Sequence, residues 1–157
     1  MGRVGLVRTL KGVILFLVAL AAVCYIALFP ALIRELGREN AEVGWLVTPG
    51  IVAVSVSAIP IAIALILFWR ICTEISRDNS FSHVNARYLT GIGFCALVDT
   101  GYCAVGTVTL EILIGSPVWL LGMGACVVGF AIALAAFLLS HLVLKAAELK
   151  DENDLTI

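Results

Sequence analysis

The chain has 157 residues, 62% of them hydrophobic and only 13% charged, with a formal net charge of −1; its mean hydropathy is +1.11. An ordinary soluble domain is roughly a quarter charged, so the composition excludes that class and indicates an integral membrane protein. The length suits one domain, and the stretches outside lipid are too short to fold into a second.

A spanning helix needs about 20 mostly apolar residues, because ~1.5 Å of rise per residue has to cross a hydrocarbon core of ~30 Å. Four segments meet that demand, at about 12–33, 45–69, 88–110 and 117–144, and a short tail follows at 145–157. The expected fold is therefore all-α: an integral membrane four-helix bundle with both termini on one side. Pro60 sits midway along the second span, where it removes one backbone hydrogen bond and is expected to kink the helix. Ser55, Ser57 or a neighbouring helix would satisfy the freed carbonyl. Gly115 to Pro117 divide the last two spans, with Ser116 placed to cap a helix that starts on Pro117. In the fourth span Ala125, Gly129 and Ala133 recur at the spacing that lets membrane helices approach closely. The nearby GMGACVVG lacks the glycine pattern of a nucleotide loop and reads as packing.

Lys and Arg are retained on the cytoplasmic side. Arg3, Arg8, Lys11, Arg70, Arg77, Arg87, Lys145 and Lys150 fall on the side of the termini, and only Arg34 and Arg38 on the other. Both termini are thus expected in the cytoplasm of a multi-pass protein of a bacterial inner membrane. Trp45, Trp69 and Trp119 all fall at span ends, the headgroup level that tryptophan prefers. The first apolar run is too long for a cleaved signal peptide, and Val23 before Cys24 does not suit a lipoprotein site.

Asp99 is the one ionisable residue near the middle of a span, and a carboxylate there costs on the order of 3 kcal/mol on insertion scales. Helical spacing sets Cys95, Asp99, Cys103 and Gly106 or Thr107 on one stripe, with Tyr102 adjacent. One reading is an intramembrane proton or cation site. The other, favoured because no second carboxylate or basic partner lies at that depth, is a protonated Asp bonded to a neighbouring helix through Tyr25, Ser55 or Ser57. Cysteines 24, 72, 95, 103 and 126 contain no CxxC, which disfavours thiol oxidoreductase chemistry. A haem between His83 and His141 is geometrically conceivable but has no other support. No nucleophile and base, and no metal constellation, is placed to cooperate, so the expectation is a non-enzymatic protein without cofactor or metal.

The cytoplasmic side carries the more specific pattern. The connection RICTEISRDNSFSHVNARYLTGIG has a polar turn at Arg77 to Ser80, Phe81 as a hydrophobic staple and Ser82 as N-cap of a helix from His83. The fourth span is longer than a bilayer requires and should emerge near His141. Asp151, Glu152 and Asp154 then oppose the negative pole of the helix dipole, so the helix should stop near Glu152 or Asn153.

The corner NSFSHVNARYLTGIG together with the ending AELKDENDLTI resembles a bacterial family of four-helix membrane proteins of unknown function. Carried over by position, the corner comprises Phe81, Ser82 and Asn85, with Arg87 beside them. The tail comprises Glu148, Leu149, Lys150, Glu152, Asn153, Asp154, Leu155, Thr156 and Ile157. Such proteins are often encoded beside a small Cro-type helix-turn-helix regulator, so the resemblance implies a membrane partner that binds or sequesters a transcription factor. Asp99 belongs to neither motif. The tail tip has two open uses, docking on its own protein or serving as a short ligand for a sheet edge, a carboxylate nest or the basic face of a DNA-binding partner. The expected function is an inner-membrane regulator that binds such a partner; the alternative is a small transporter or channel subunit using Asp99. The expected partners are the lipid bilayer, the helix-turn-helix regulator and a second copy in a homodimer; the chain lacks a basic domain for binding nucleic acid itself.

Overall fold

A computed structural model of the chain describes residues 3–39, 41–76, 82–115 and 118–154. Expectations for the Arg77 to Ser80 turn, the Phe81 staple, the Ser116 and Pro117 cap, and Leu155, Thr156 and Ile157 concern residues outside that set. The described elements are all helical: α1 (Arg3–Val23), a π turn (Cys24–Leu28), α2 (Phe29–Glu39), a 3₁₀ helix (Ala41–Leu46), α3 (Val47–Ser76), α4 (His83–Ile114) and α5 (Val118–Asp154). Four helices are long and apolar enough to cross a membrane, over Arg8–Glu39, Gly44–Ser76, His83–Leu113 and Trp119–Asn153.

Each helix runs past the apolar window that marks it in the sequence. Charged residues end the apolar run without ending the hydrogen-bond ladder, and long basic side chains at helix ends reach the interface from within the helix. Among the described residues α5 is helical through Asp154, past the expected stop near Glu152 or Asn153 by one or two residues.

The first span contains a feature that the apolar pattern does not announce. At Cys24–Leu28 the α ladder widens into a π turn, followed directly by α2. Pro30 begins the next turn without an N–H, so the carbonyl of Ile26 has no ordinary i+4 donor. A π turn is one way for a helix to absorb such a gap. Tyr25 and Phe29 stack edge to face across it, their ring centres 5.1 Å apart.

α3 passes through Pro60 without interruption. The expected role of its serines is corrected: Ser55 Oγ donates to the Ile51 carbonyl at 2.8 Å and Ser57 Oγ to Val54 at 2.9 Å. Both bonds lie upstream of Val56, whose carbonyl is the one that Pro60 frees.

The spans pack chiefly in chain order, the first on α3, α3 on α4 and α4 on α5, with the most extensive contact between α4 and α5. Small residues explain that last interface. Ala133 is fully buried and Ala136 and Ala147 nearly so, while Gly122 and Gly129 sit against Thr107 and Thr100 of α4. The expected Ala125–Gly129–Ala133 stripe needs one correction, because Ala125 is exposed. The contacting face instead runs through Gly122, Cys126, Gly129, Ala133, Ala136, Ser140 and Ala147. Gly115 ends α4 in the left-handed conformation, φ 59°, its N–H donating to the Glu111 carbonyl at 2.9 Å, a C-cap that glycine adopts without a Cβ penalty.

Candidate functional site: the α4–α5 corner and the intramembrane polar layer

Two groups of polar residues stand out, one where α4 begins and one at mid-span.

The first is built on the cap at Ser82. Its backbone is extended, and the Asn85 N–H donates to its Oγ at 3.2 Å, so α4 starts at His83. This fixes the direction in which the first turn points. Asn85, 2% exposed, and Ala86 are turned inward against α5. There Ser140 Oγ donates to the Ala86 carbonyl at 2.7 Å and lies 2.8 Å from Thr90 Oγ1. Thr90 Oγ1 donates to the same carbonyl at 3.1 Å. A serine on one helix thus binds the first turn of the other where both leave the apolar zone.

One turn further out, His83 Nε2 lies 3.2 Å from Asp151 Oδ2. The corner and the end of α5 therefore form one surface. Of the site residues expected there, Arg87, Glu148, Leu149, Glu152 and Asn153 are exposed on it, Ser82 is half-buried, and Asn85 is packed behind it. Leu149 is 67% exposed among these charged neighbours. Ser140 escaped the sequence reading, and His83 entered it only as the start of the helix and as a conceivable haem ligand, not as a partner of the tail. The signal for Ser140 was its place on the small-residue face of α5.

The second group crosses the spans. Tyr25, in the π turn, has its hydroxyl 3.1 Å from Ser57 Oγ of α3, and it lies within electrostatic reach of Asp99 and Cys103 of α4. Cys103 in turn neighbours Cys126 of α5, whose thiol donates weakly to the Thr100 carbonyl at 3.7 Å. Each of the four spans contributes a polar group to this layer. Tyr102 donates to the Ala53 carbonyl at 2.9 Å and so ties α4 to α3, while Cys95 is half-buried one turn away.

Asp99 departs from the favoured expectation. Its Oδ1 is buried and has no hydrogen-bond partner among the described residues; the tyrosine and serine expected to hold it are bonded to each other instead. Among the described residues no group of three or more His, Cys, Asp or Glu is placed to hold a metal ion. His83 faces Asp151 rather than an open site, and His141 is exposed.

Comparison with known proteins gives a family and a relative. Residues 31–157 match the family described as "Protein of unknown function (DUF2975)". The chain is 29% identical over 106 residues to the uncharacterized membrane protein YoaS of Bacillus subtilis (strain 168). That match covers 65% of this chain and 66%, just under two thirds, of the relative. No solved structure matches. The family match contains the α4–α5 corner and Asp99, whereas α1 and the π turn lie before it.

Proposed function

The chain belongs to the DUF2975 family, and from that premise we propose that it is a non-enzymatic regulatory protein of a bacterial inner membrane, both termini in the cytoplasm, that holds a cytoplasmic helix-turn-helix transcription regulator. The docking face is the start of α4 joined to the end of α5. The observation that carries this reading is the contact between His83 and Asp151, which unites the corner and the tail in one surface. Ser82 and Ser140 hold that surface in place, and Leu149 offers it an apolar centre, the kind of side chain whose burial anchors a contact. Glu148, Asp151 and Glu152 supply negative charge suited to the basic, DNA-facing side of such a regulator. The test is co-purification of the protein with a small Cro-type helix-turn-helix regulator, of the kind that the family resemblance implies is encoded beside it. Leu149→Ser with Asp151→Lys should lower recovery of the regulator at least tenfold without loss of the membrane protein; equal recovery would remove this surface from the proposal.

A second reading has its own support in the buried Oδ1 of Asp99, which has no hydrogen-bond partner among the described residues. A group kept in the membrane without a structural bond suits a proton or cation site, here beside Tyr25 and Cys103. In proteoliposomes Asp99→Asn should then abolish pH-driven flux, and flux equal to that of the unaltered protein would dismiss transport through Asp99.

A further inference from the structure

The first span and α3 enclose an apolar groove of about 490 Å³ that neither motif reaches. Its wall on the first span is a stripe through Ile14, Val18 and Ala21 of α1 to Tyr25 of the π turn. Its α3 wall runs from Ala58 to Trp69. The small side chains Ala21, Ala22, Ala58 and Ala62 leave the hollow between larger neighbours.

Three features of the groove identify what fills it. Its depth from Ile14 to Tyr25 is roughly 16 Å at ~1.5 Å per residue, about half of a ~30 Å hydrocarbon core, so it serves one leaflet. Its inner end is stopped by the Tyr25–Ser57 pair. At its outer end the groove-facing side of α1 continues four and seven residues back from Leu15 to Lys11 and Arg8. Lys11 Nζ sits 5.2 Å from the centre of the Trp69 ring, a cation over an aromatic face at headgroup level, and Arg8 is exposed beside it. A partner helix would be ~10 Å wide and continue across both leaflets, which a hollow of this depth does not receive.

We propose that this groove is a binding site for an anionic phospholipid, one acyl chain lying between α1 and α3 and the phosphate facing Lys11 and Arg8. The site is independent of the regulator-docking surface and of which side of the membrane the termini occupy. Basic residues near a membrane surface favour anionic lipid by about fivefold each, and the groove turns that general attraction into a fixed position.

The experiment uses the full chain carrying Trp45→Phe and Trp119→Phe, so that Trp69 alone reports. It is reconstituted in phosphatidylcholine vesicles with increasing fractions of bromine-labelled phosphatidylglycerol or, in parallel, bromine-labelled phosphatidylcholine. Half-quenching of Trp69 should require a roughly fivefold to 25-fold smaller fraction of the glycerol lipid, the upper figure if Arg8 and Lys11 contribute in full. Arg8→Gln with Lys11→Gln, two positions outside the packed interior, should abolish that preference while leaving quenching itself. Ala22→Leu with Ala62→Leu should reduce quenching by both lipids. Equal half-quenching fractions for the two headgroups would overturn the proposal, as would a preference that survives in the Arg8/Lys11 variant. Trp69 shielded from both lipids would also overturn it, by showing the groove filled by a second copy of the chain.

Discussion

His83 and Asp151 stand 68 positions apart in sequence, yet their side chains meet at 3.2 Å, at the point where the described fold brings the start of α4 against the end of α5. Both are more than half exposed. An exposed pair of this kind contributes little to stability, roughly 0–1 kcal/mol. His83→Ala and Asp151→Asn should therefore each change the thermal midpoint by no more than a few degrees in circular dichroism melts. A larger loss in either variant would mean that the contact holds the corner together rather than merely lying across it.

Ser140 is the stronger fastener. Ser140→Ala removes one bond to the Ala86 carbonyl but leaves the one from Thr90, so the expected loss is on the order of 0.6 kcal/mol, near the average measured for bonds between membrane helices. Ser140→Leu should cost more, about 1–3 kcal/mol, because it forces bulk into a closely packed contact. Reversible unfolding in mixed micelles would compare the two, and equal losses would contradict the close approach of α4 and α5 here.

Gly122 and Gly129 test the same interface deeper in the membrane. A Cβ on either would collide with the hydroxyl of Thr107 or Thr100. Each hydroxyl is already committed to a carbonyl of its own helix, Thr107 to Cys103 at 2.8 Å and Thr100 to Ala96 at 2.7 Å. Moving it aside gives up that bond. Gly122→Val and Gly129→Val should each destabilise by about 1–3 kcal/mol, while Gly124→Val, at a site with open space around it, should be close to neutral. Loss of stability in the Gly124 variant comparable to the other two would refute this facing of α5.

Tyr25 and Asp99 should behave oppositely. Tyr25→Phe removes the bond to Ser57 and should lower stability by on the order of 0.6 kcal/mol. Asp99→Leu removes a carboxyl with a buried oxygen that no described residue binds, and should raise stability by on the order of 1 kcal/mol. Destabilisation by Asp99→Leu would assign Asp99 to the fold and withdraw support from the transport reading.

The all-helical, four-span architecture was legible because lipid leaves so few alternatives: apolar runs of sufficient length have to be helices. The cap at Ser82 was legible for a local reason, since a hydroxyl followed by a helical segment needs only its own next turn to be satisfied. What failed to show was whatever depends on rotation about a helix axis. Ala125 and Gly129 obey the same four-residue spacing, and only the pairing with Thr100 and Thr107 reveals that Ala125 turns away. Asp99 presents the same problem. Tyr25, Ser55 and Ser57 were all within its reach by depth, but which hydroxyl meets which depends on the phase of the first span, and that phase is reset at the π turn. Pro30 was the available signal.

That π turn acts as an inserted residue written into the backbone. One extra residue advances a helix by roughly 100°, and the wider turn winds that residue in, so the parts before Val23 and beyond Leu28 keep the facing they would have without it. A residue deleted from Cys24–Leu28 would let the α ladder close with both parts left in place. A residue deleted between Gly12 and Val23 has no such turn to absorb it and would swing Lys11 by about that angle off the Trp69 ring. Changes in chain length are thus absorbed at the π turn and costly in the helix before it.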